Sequence, residues 1–381
     1  MNSILCVHQG YELYGSDRTF ISCVEFLKKR YPTSDIKVIL PKTGDLSVLF
    51  HRMGYNVQIE DLWVLRKGYG LNLLYRLILF PLFLFRASRN LSGADLIYIN
   101  TSVIFDYIIA ARLHRRAVIH VHEIPSGIAR RAIRILLAFS RAKVLHNSKA
   151  TFENLSLPAN MQQKVVHNGV DCAGPDANFR THNETLAPHR KSMASTGAGG
   201  GRMRILMIGR LNSWKGQDLL LDSLARLSSE TREDLHVVIK GDVFENAPYR
   251  DQLQDQIQKS GLQKIVELHS FDSNPSAAYD WCDLVVVPSR KPEPFGLIAI
   301  EAMAQGKPVL AAKHGGLLEI IVENSTGWFH KPNDSQDLAE QISWILRHRN
   351  DLTRIGEAGR KRYLRTYTLE SFEKRFLKAI G

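Results

Sequence analysis

Short, wholly apolar runs alternate along this chain with longer stretches in which apolar residues recur every three or four positions, and the alternation occurs in two series. The first series places strands at SILCVHQ (3–9), DIKVILP (35–41), NVQIE (56–60), DLIYIN (95–100), AVIHVHE (117–123), KVLHNS (143–148) and KVVHNG (164–169). The second places them at RILMIG (204–209), HVVIKGD (236–242), IVELHSF (265–271), DLVVVPS (283–289) and PVLAA (308–312). Runs apolar on both alternating sets of positions belong to parallel strands buried on both faces, and helical stretches between them make each series a doubly wound α/β unit. Residues 172–203, rich in Ala, Gly, Pro, His, Asn, Ser and Thr and ending in STGAGGG, have linker composition. The expected domains are 1–171 and 204–365, with 172–203 between them.

One segment breaks the alternation. LILFPLFLF (77–85) is apolar throughout, is interrupted by Pro81, and is bracketed by Arg66, Lys67, Arg76, Arg86 and Arg89. A spanning helix needs about 20 apolar residues, so this stretch is too short to cross a bilayer and is suited to an interface, with cations on anionic headgroups. RRAIRILLAFSRAK (130–143) repeats the mixture of cations and leucine-like residues. Helices packed on a sheet with cations at their exposed ends would give the same pattern. Charge sharpens the picture: 22 Lys+Arg against 12 Asp+Glu give residues 1–171 a net +10 of the chain's formal +12. An anionic surface or acceptor is the partner this suggests.

The hydrophobic content of 44% suits a soluble protein with sizeable cores. The cysteines at 6, 23, 172 and 282 contain no C-x-x-C pair, and the first residues read as a buried strand without a signal peptide's basic region, so a reducing cytoplasm is expected. The sequence holds no D-x-D and no H-x-x-x-H, so no metal and no cofactor are expected.

Candidate chemistry gathers where strands end. In EPFGLIAIE (293–301), prolines at 292 and 294 keep Glu293 out of helix, while Glu301 falls inside the helix that follows. Two carboxylates at the carboxyl end of a parallel sheet suit a polyhydroxylated ligand better than a phosphate, although spacing alone fits a capping residue and a solvated residue equally well. GRLNSWKGQD (209–218) sets Arg210 and Lys215 before a helix N-terminus, where a diphosphate would be held. YGSDRTF (14–20) offers Gly15 at the start of a helix, with Ser16 or Asp17 as alternative caps. In HVHEIP (120–125), strand alternation puts His120 and His122 on one face, and His122 is nearer the strand's carboxyl end.

Taken together, EPFGLIAIEAMAQGKPVLAAKHGGLLEII (293–321), TGWFHKP (326–332), GRLNSWKG (209–216) and VVHNGVD (165–171) resemble the retaining glycosyltransferases of family four. The resemblance implies a GT-B fold of two Rossmann-like domains, with a last helix, about 366–381, returning to the first. It implies that Glu293 contacts donor-sugar hydroxyls, that the backbone of Phe295, Gly296 and Leu297 binds sugar or phosphate, and that Glu301 binds the ribose. Arg210 and Lys215 match the diphosphate cations, Gly15 a glycine of the N-terminal donor loop, and His122 the histidine near the reacting sugar. The nucleotide base is expected near 269–272. Tyr14 stands where the usual double glycine has its first member, with Asp17 at the acidic position.

The implied activity is transfer of a hexosyl or related unit from a UDP- or GDP-sugar to a lipid-linked oligosaccharide during O-antigen, capsule or exopolysaccharide assembly, at the inner face of the cytoplasmic membrane. A sugar-nucleotide 2-epimerase on the same fold is the alternative. A nucleic-acid partner is not expected, since only the charge suggests it.

Overall fold

A computed structural model describes residues 1–64, 72–114, 116–171, 201–243, 248–271 and 275–381. The chain divides into two compact units, Met1–Asn168 with Glu370–Gly381, and Gly169–Leu369. Most of the 172–203 segment lies outside the described residues, as do Arg66 and Lys67.

The first unit carries strands β1 (Ser3–Val7), β2 (Asp35–Leu40), β3 (Asn56–Ile59), β4 (Leu96–Ile99), β5 (Ala117–Val121), β6 (Lys143–His146) and β7 (Gln163–Val165). They form one parallel sheet in the order β3-β2-β1-β4-β5-β6-β7. The order reverses between β1 and β4, the switch point at which open α/β sheets leave a ligand crevice at the strands' carboxyl ends.

Alternate residues of this sheet serve two cores. Leu5, Val7, Ile97, Ile99, Ile119 and Val121 face the helices Phe80–Leu91, Phe105–Ala110 and Gly127–Ser140. On the other face Tyr98 and His120 meet Phe372 and Phe376 of the last helix, Leu369–Ile380, whose phenylalanines also pack on Phe26.

The 77–85 segment is helical on both sides of a break. Asn72–Ile78 ends, Leu79 intervenes, and Phe80–Leu91 begins with Pro81 in its first turn. A proline is tolerated there because its missing N–H would have had no intrahelical partner. Phe83, Ala87 and Leu91 are buried, whereas Leu74, Tyr75, Leu77, Ile78, Leu82 and Phe85 are exposed.

Two of the bracketing cations turn inward. Arg76 pairs with Asp61 at 3.1 Å and donates to the carbonyl of Leu62 at 2.7 Å, and Arg86 Nε lies 2.9 Å from Glu60. Their guanidinium groups stand 5.1 and 5.0 Å from the Phe83 ring, so they pin the helix to the unit instead of projecting from its ends. In the helix Gly127–Ser140, Ile133, Leu136 and Leu137 are buried while Ile128, Ile135 and Phe139 are exposed.

The second unit carries β8 (Met203–Ile208), β9 (Leu235–Lys240), β10 (Val266–His269), β11 (Leu284–Val287), β12 (Val309–Ala312) and β13 (Gly327–His330). The parallel order is β10-β9-β8-β11-β12-β13, with its switch point between β8 and β11. Ile205, Met207, Val237, Val286 and Leu310 belong to one core, and Leu206, Ile208, Val285, Val287, Val309 and Ala311 to the other. That division explains the unbroken apolar runs. Strand β13, absent from the sequence expectation, extends the sheet beside β12.

Candidate active site

In the second unit the loops after β8 and β11 meet at the switch point. Asn212 Oδ1 accepts the backbone N–H groups of Trp214 at 3.3 Å and Lys215 at 3.1 Å, an Asx turn that sets the path of the loop. Gly216 follows with φ of 84°, and an added Cβ would lie 2.1 Å from the carbonyl oxygen of Pro288, so a glycine is needed both for the turn and for the approach of the second loop. The Arg290 amide donates to the Trp214 carbonyl at 2.8 Å, and Arg290 pairs with Asp218 at 2.8 Å.

This lacing brings together residues 78 positions apart. Lys215 Nζ lies 2.7 Å from Glu293 Oε1, and Ser289 Oγ donates to the same oxygen. Glu293 is only 6% exposed, and its carbonyl accepts the Gly316 amide at 2.8 Å. His314 Nε2 is 2.8 Å from the Ser289 carbonyl, which fixes Nε2 as the protonated nitrogen. A carboxylate held by an ammonium and a hydroxyl is fixed in orientation.

Glu301 lies in the second turn of the helix Leu297–Ala304, 7% exposed, with the Tyr279 hydroxyl donating to its Oε2 at 2.9 Å. Gly296 is the N-cap of that helix and Leu297 its first residue, so the free N–H groups of a helix start stand beside Glu293 in sequence. The Phe295 side chain is core, 2% exposed with its ring centroid 6.0 Å from that of Tyr367, which leaves its backbone as the part able to meet a ligand. Arg210 is half-buried, and its carbonyl accepts from Gln217 Nε2 at 2.9 Å. Around the expected base position, His269 is exposed and bonds Glu267 at 2.7 Å, while residue 272 lies outside the described residues.

The first unit's candidates also gather at strand ends. Gly15 opens the helix Gly15–Arg30. Asp17 Oδ2 accepts the Tyr14 amide at 3.0 Å and its Oδ1 lies 2.7 Å from His8 Nε2, so this carboxylate caps the helix and ties it to the end of β1.

His8 Nδ1 is 3.2 Å from Asn100 Nδ2, Asn100 Oδ1 is 2.9 Å from His122 Nε2, and His122 Nδ1 is 3.3 Å from Asn147 Nδ2. Burial, then the neighbouring His120 and His8, hold His122 well below the usual imidazole range, and burial pushes His120 down to about 3. Both rings are neutral at ordinary pH. The rings of His120 and His122 are 4.2 Å apart, as their shared strand face requires, and His120 Nδ1 engages the Tyr98 hydroxyl at 2.9 Å.

Sequence reasoning missed His8, Asn100, Asn147, Ser289 and Tyr279. The first three share a signal: each is the first or second polar residue to end an apolar run, in SILCVH, LIYIN and KVLHN. Among the described residues, no group of three or more His, Cys, Asp or Glu side chains is placed to hold a metal ion.

Residues 189–362 match the family model of glycosyl transferases group 1. Mannosylfructose-phosphate synthase of Agrobacterium fabrum is 30% identical over 46% of this chain and 40% of its own length. Lipopolysaccharide 1,2-N-acetylglucosaminetransferase of Salmonella typhimurium is 30% identical over 45% of this chain and 46% of its own. The chain thus spans about half or less of the length of these curated relatives. The crystal structure of Anabaena Alr3699/HepE in complex with UDP-glucose matches at a TM-score of 0.76 and 24% identity, covering 99% of this chain and 98% of that one, a likeness of fold. The site built on β8 and β11 falls inside the matched region, and the chain has the GT-B fold, with residues 189–362 similar to the glycosyl transferases group 1 family.

Proposed function

We propose that this protein is a retaining, metal-independent glycosyltransferase that moves a sugar from a nucleotide-sugar donor, linked to UDP or GDP, to a hydroxyl of a lipid-linked glycan during surface polysaccharide assembly. The observation that carries this reading is the Lys215–Glu293 pair at the β8/β11 switch point, beside the helix start at Gly296 and Leu297. A diphosphate there would meet Lys215, Arg210 and helix N–H groups, and the Glu293 carboxylate would accept sugar hydroxyls. Glu301 would take the ribose hydroxyls. The UDP-glucose held by the Anabaena neighbour supports a UDP donor, and the activity of the Salmonella relative supports a glycan acceptor.

In transfer the diphosphate is the leaving group, so the cations act where negative charge grows, and removing one such contact costs on the order of 3 kcal/mol. His122 has both ring nitrogens engaged, which favours a positioning role over proton transfer. The departing phosphate would accept the proton in a same-face attack, and trapping a sugar covalently on a side chain would contradict that step.

The exposed apolar residues of the helices Asn72–Ile78, Phe80–Leu91 and Gly127–Ser140, with Arg89, Arg131 and Arg141 exposed near them, support peripheral binding to an anionic membrane. Among the described residues, no helix is long and apolar enough to cross one.

Thermal-shift screening against UDP, GDP and their sugars is the direct test, since a ligand at 100 times its Kd stabilises by about 2.7 kcal/mol. No shift with any nucleotide would sink the reading. Incubation with donor alone separates transfer from 2-epimerisation, which needs no acceptor.

A further inference from the structure

The hydrogen bonds at the strand ends of the first unit have a single consistent direction. Asp17 is an acceptor, so the proton on the 2.7 Å bond belongs to His8 Nε2, and His8 Nδ1 must accept from Asn100 Nδ2. Asn100 Oδ1 then faces His122 and accepts from its Nε2–H; it also accepts from the Tyr98 hydroxyl at 2.6 Å. Neutral His122 has no second proton, so its Nδ1 accepts from Asn147 Nδ2. Four links running from Asn147 to Asp17 fix which way the last amide is turned.

The consequence is a loose end. Asn147 is 3% exposed, and its Oδ1 has no hydrogen-bond partner among the described residues. Just past the end of the neighbouring strand β7, Asn168 is 2% exposed and its Oδ1 likewise has no partner among them. A buried amide oxygen left without a donor is costly, and the reverse rotamer of Asn147 would set its oxygen against the lone pair of His122.

We propose that Asn147 Oδ1, at the end of β6, and Asn168 Oδ1, just past the end of β7, are hydroxyl-binding atoms for a sugar or other polyol. A neutral amide oxygen suits an O–H donor, and the net +10 of residues 1–171 disfavours a cationic ligand. The inference rests on the glycosyltransferase reading in taking this polyol to be part of the acceptor. Asn100 and Asp17 are then positioning residues that set the tautomer of His122 and, through it, the face that Asn147 presents.

The test uses the full chain with 15N-labelled histidine and asparagine, with UDP present. The expected NMR signature is His8 and His122 both protonated at Nε2; protonation of His122 at Nδ1 would overturn the proposal. Methyl α-glycosides of glucose, galactose and mannose are then titrated, and at least one should shift the side-chain amide signals of Asn147 and Asn168.

Asn147→Ala should weaken that response about tenfold or more, with the thermal shift by UDP retained; Asn147→Ser serves if the alanine variant does not fold. If none of the three glycosides perturbs either amide, the oxygens hold water only and the proposal is refuted. Loss of the UDP shift in the wild-type protein would instead refute the glycosyltransferase reading while leaving the tautomer result standing.

Discussion

Lys215 Nζ and Glu293 Oε1, 2.7 Å apart, join the loop after β8 to the loop after β11, so the proposed diphosphate cation and the proposed sugar carboxylate already neutralise one another. Their side chains are 22% and 8% exposed, and removing either partner strands the other in a poorly solvated place. Lys215→Ala should destabilise the second unit by about 3 kcal/mol, the lower end for a broken buried pair. Glu293→Gln, which keeps an acceptor for Ser289, should cost less. Urea unfolding of the two variants measures the difference, and a neutral Lys215→Ala would show that the pair contributes nothing to the fold.

Gly315 has φ of 61°, and a Cβ there would fall 2.5 Å from the carbonyl oxygen and 2.8 Å from the amide nitrogen of Glu293. The left-handed backbone alone costs a non-glycine residue about 1–2 kcal/mol. The clash adds a displacement of Glu293 itself. Gly315→Ala should therefore reproduce the loss of turnover of Glu293→Ala without touching the carboxylate, as steady-state kinetics with a UDP-sugar would show.

The Tyr279 hydroxyl orients Glu301 at 2.9 Å in a buried setting. If Glu301 holds the ribose, Tyr279→Phe should weaken UDP binding a few-fold, the worth of one hydrogen bond, and Glu301→Ala should weaken it more. Glu293→Ala should spare free UDP and depress turnover with the sugar donor. Calorimetric titration of UDP into the three variants separates the two roles. Equal losses in Glu293→Ala and Glu301→Ala would end the division of labour.

Asp106 is fully buried at the start of the helix Phe105–Ala110, accepting the amides of Trp63 at 3.3 Å and Tyr107 at 3.0 Å. Burial is the main cause of a pKa pushed up to about 7; the two amides oppose it, and Glu60 adds to it. A carboxyl whose folded pKa exceeds its unfolded value binds more protons when folded. Its contribution is thus fully present below pH of about 4 and is lost as pH rises to 7, at a rate on the order of 1 kcal/mol per pH unit. Asp106→Asn removes this dependence. The stability of the variant relative to wild type should climb between pH 4 and 7 and then level off, as denaturant titrations across that range would reveal.

The central strands of both sheets were legible because burial on two faces leaves an unmistakable apolar run, as in LVVV of β11. GWFH of β13 was not, since its glycine and histidine break such a run although all four residues are buried. The placement of Glu293 before a helix and Glu301 within it followed from two prolines and the helical run after them.

Their partners did not follow. Lys215 meets Glu293 only because β8 and β11 are neighbours at the point where strand order reverses, and His8 meets Asn100 for the same reason at β1 and β4. Local pattern gives each strand and its polar end; adjacency between strands distant in sequence is what turns those ends into a network. The 77–85 segment shows the converse, since its cations were legible as flanks but their inward pairing with Glu60 and Asp61 depended on tertiary packing.

The helix Leu369–Ile380 places Phe372 and Phe376, both without exposed surface, against Phe26 and Tyr98 of the first unit. Those phenylalanines are translated only after all of the second unit. During synthesis the first unit therefore emerges from the ribosome with an open apolar face that no nascent segment fills, and it must wait, partly formed, through the making of some two hundred further residues (169–369). The core of the unit that holds Met1 is thus complete only once residues 370–381 have been made.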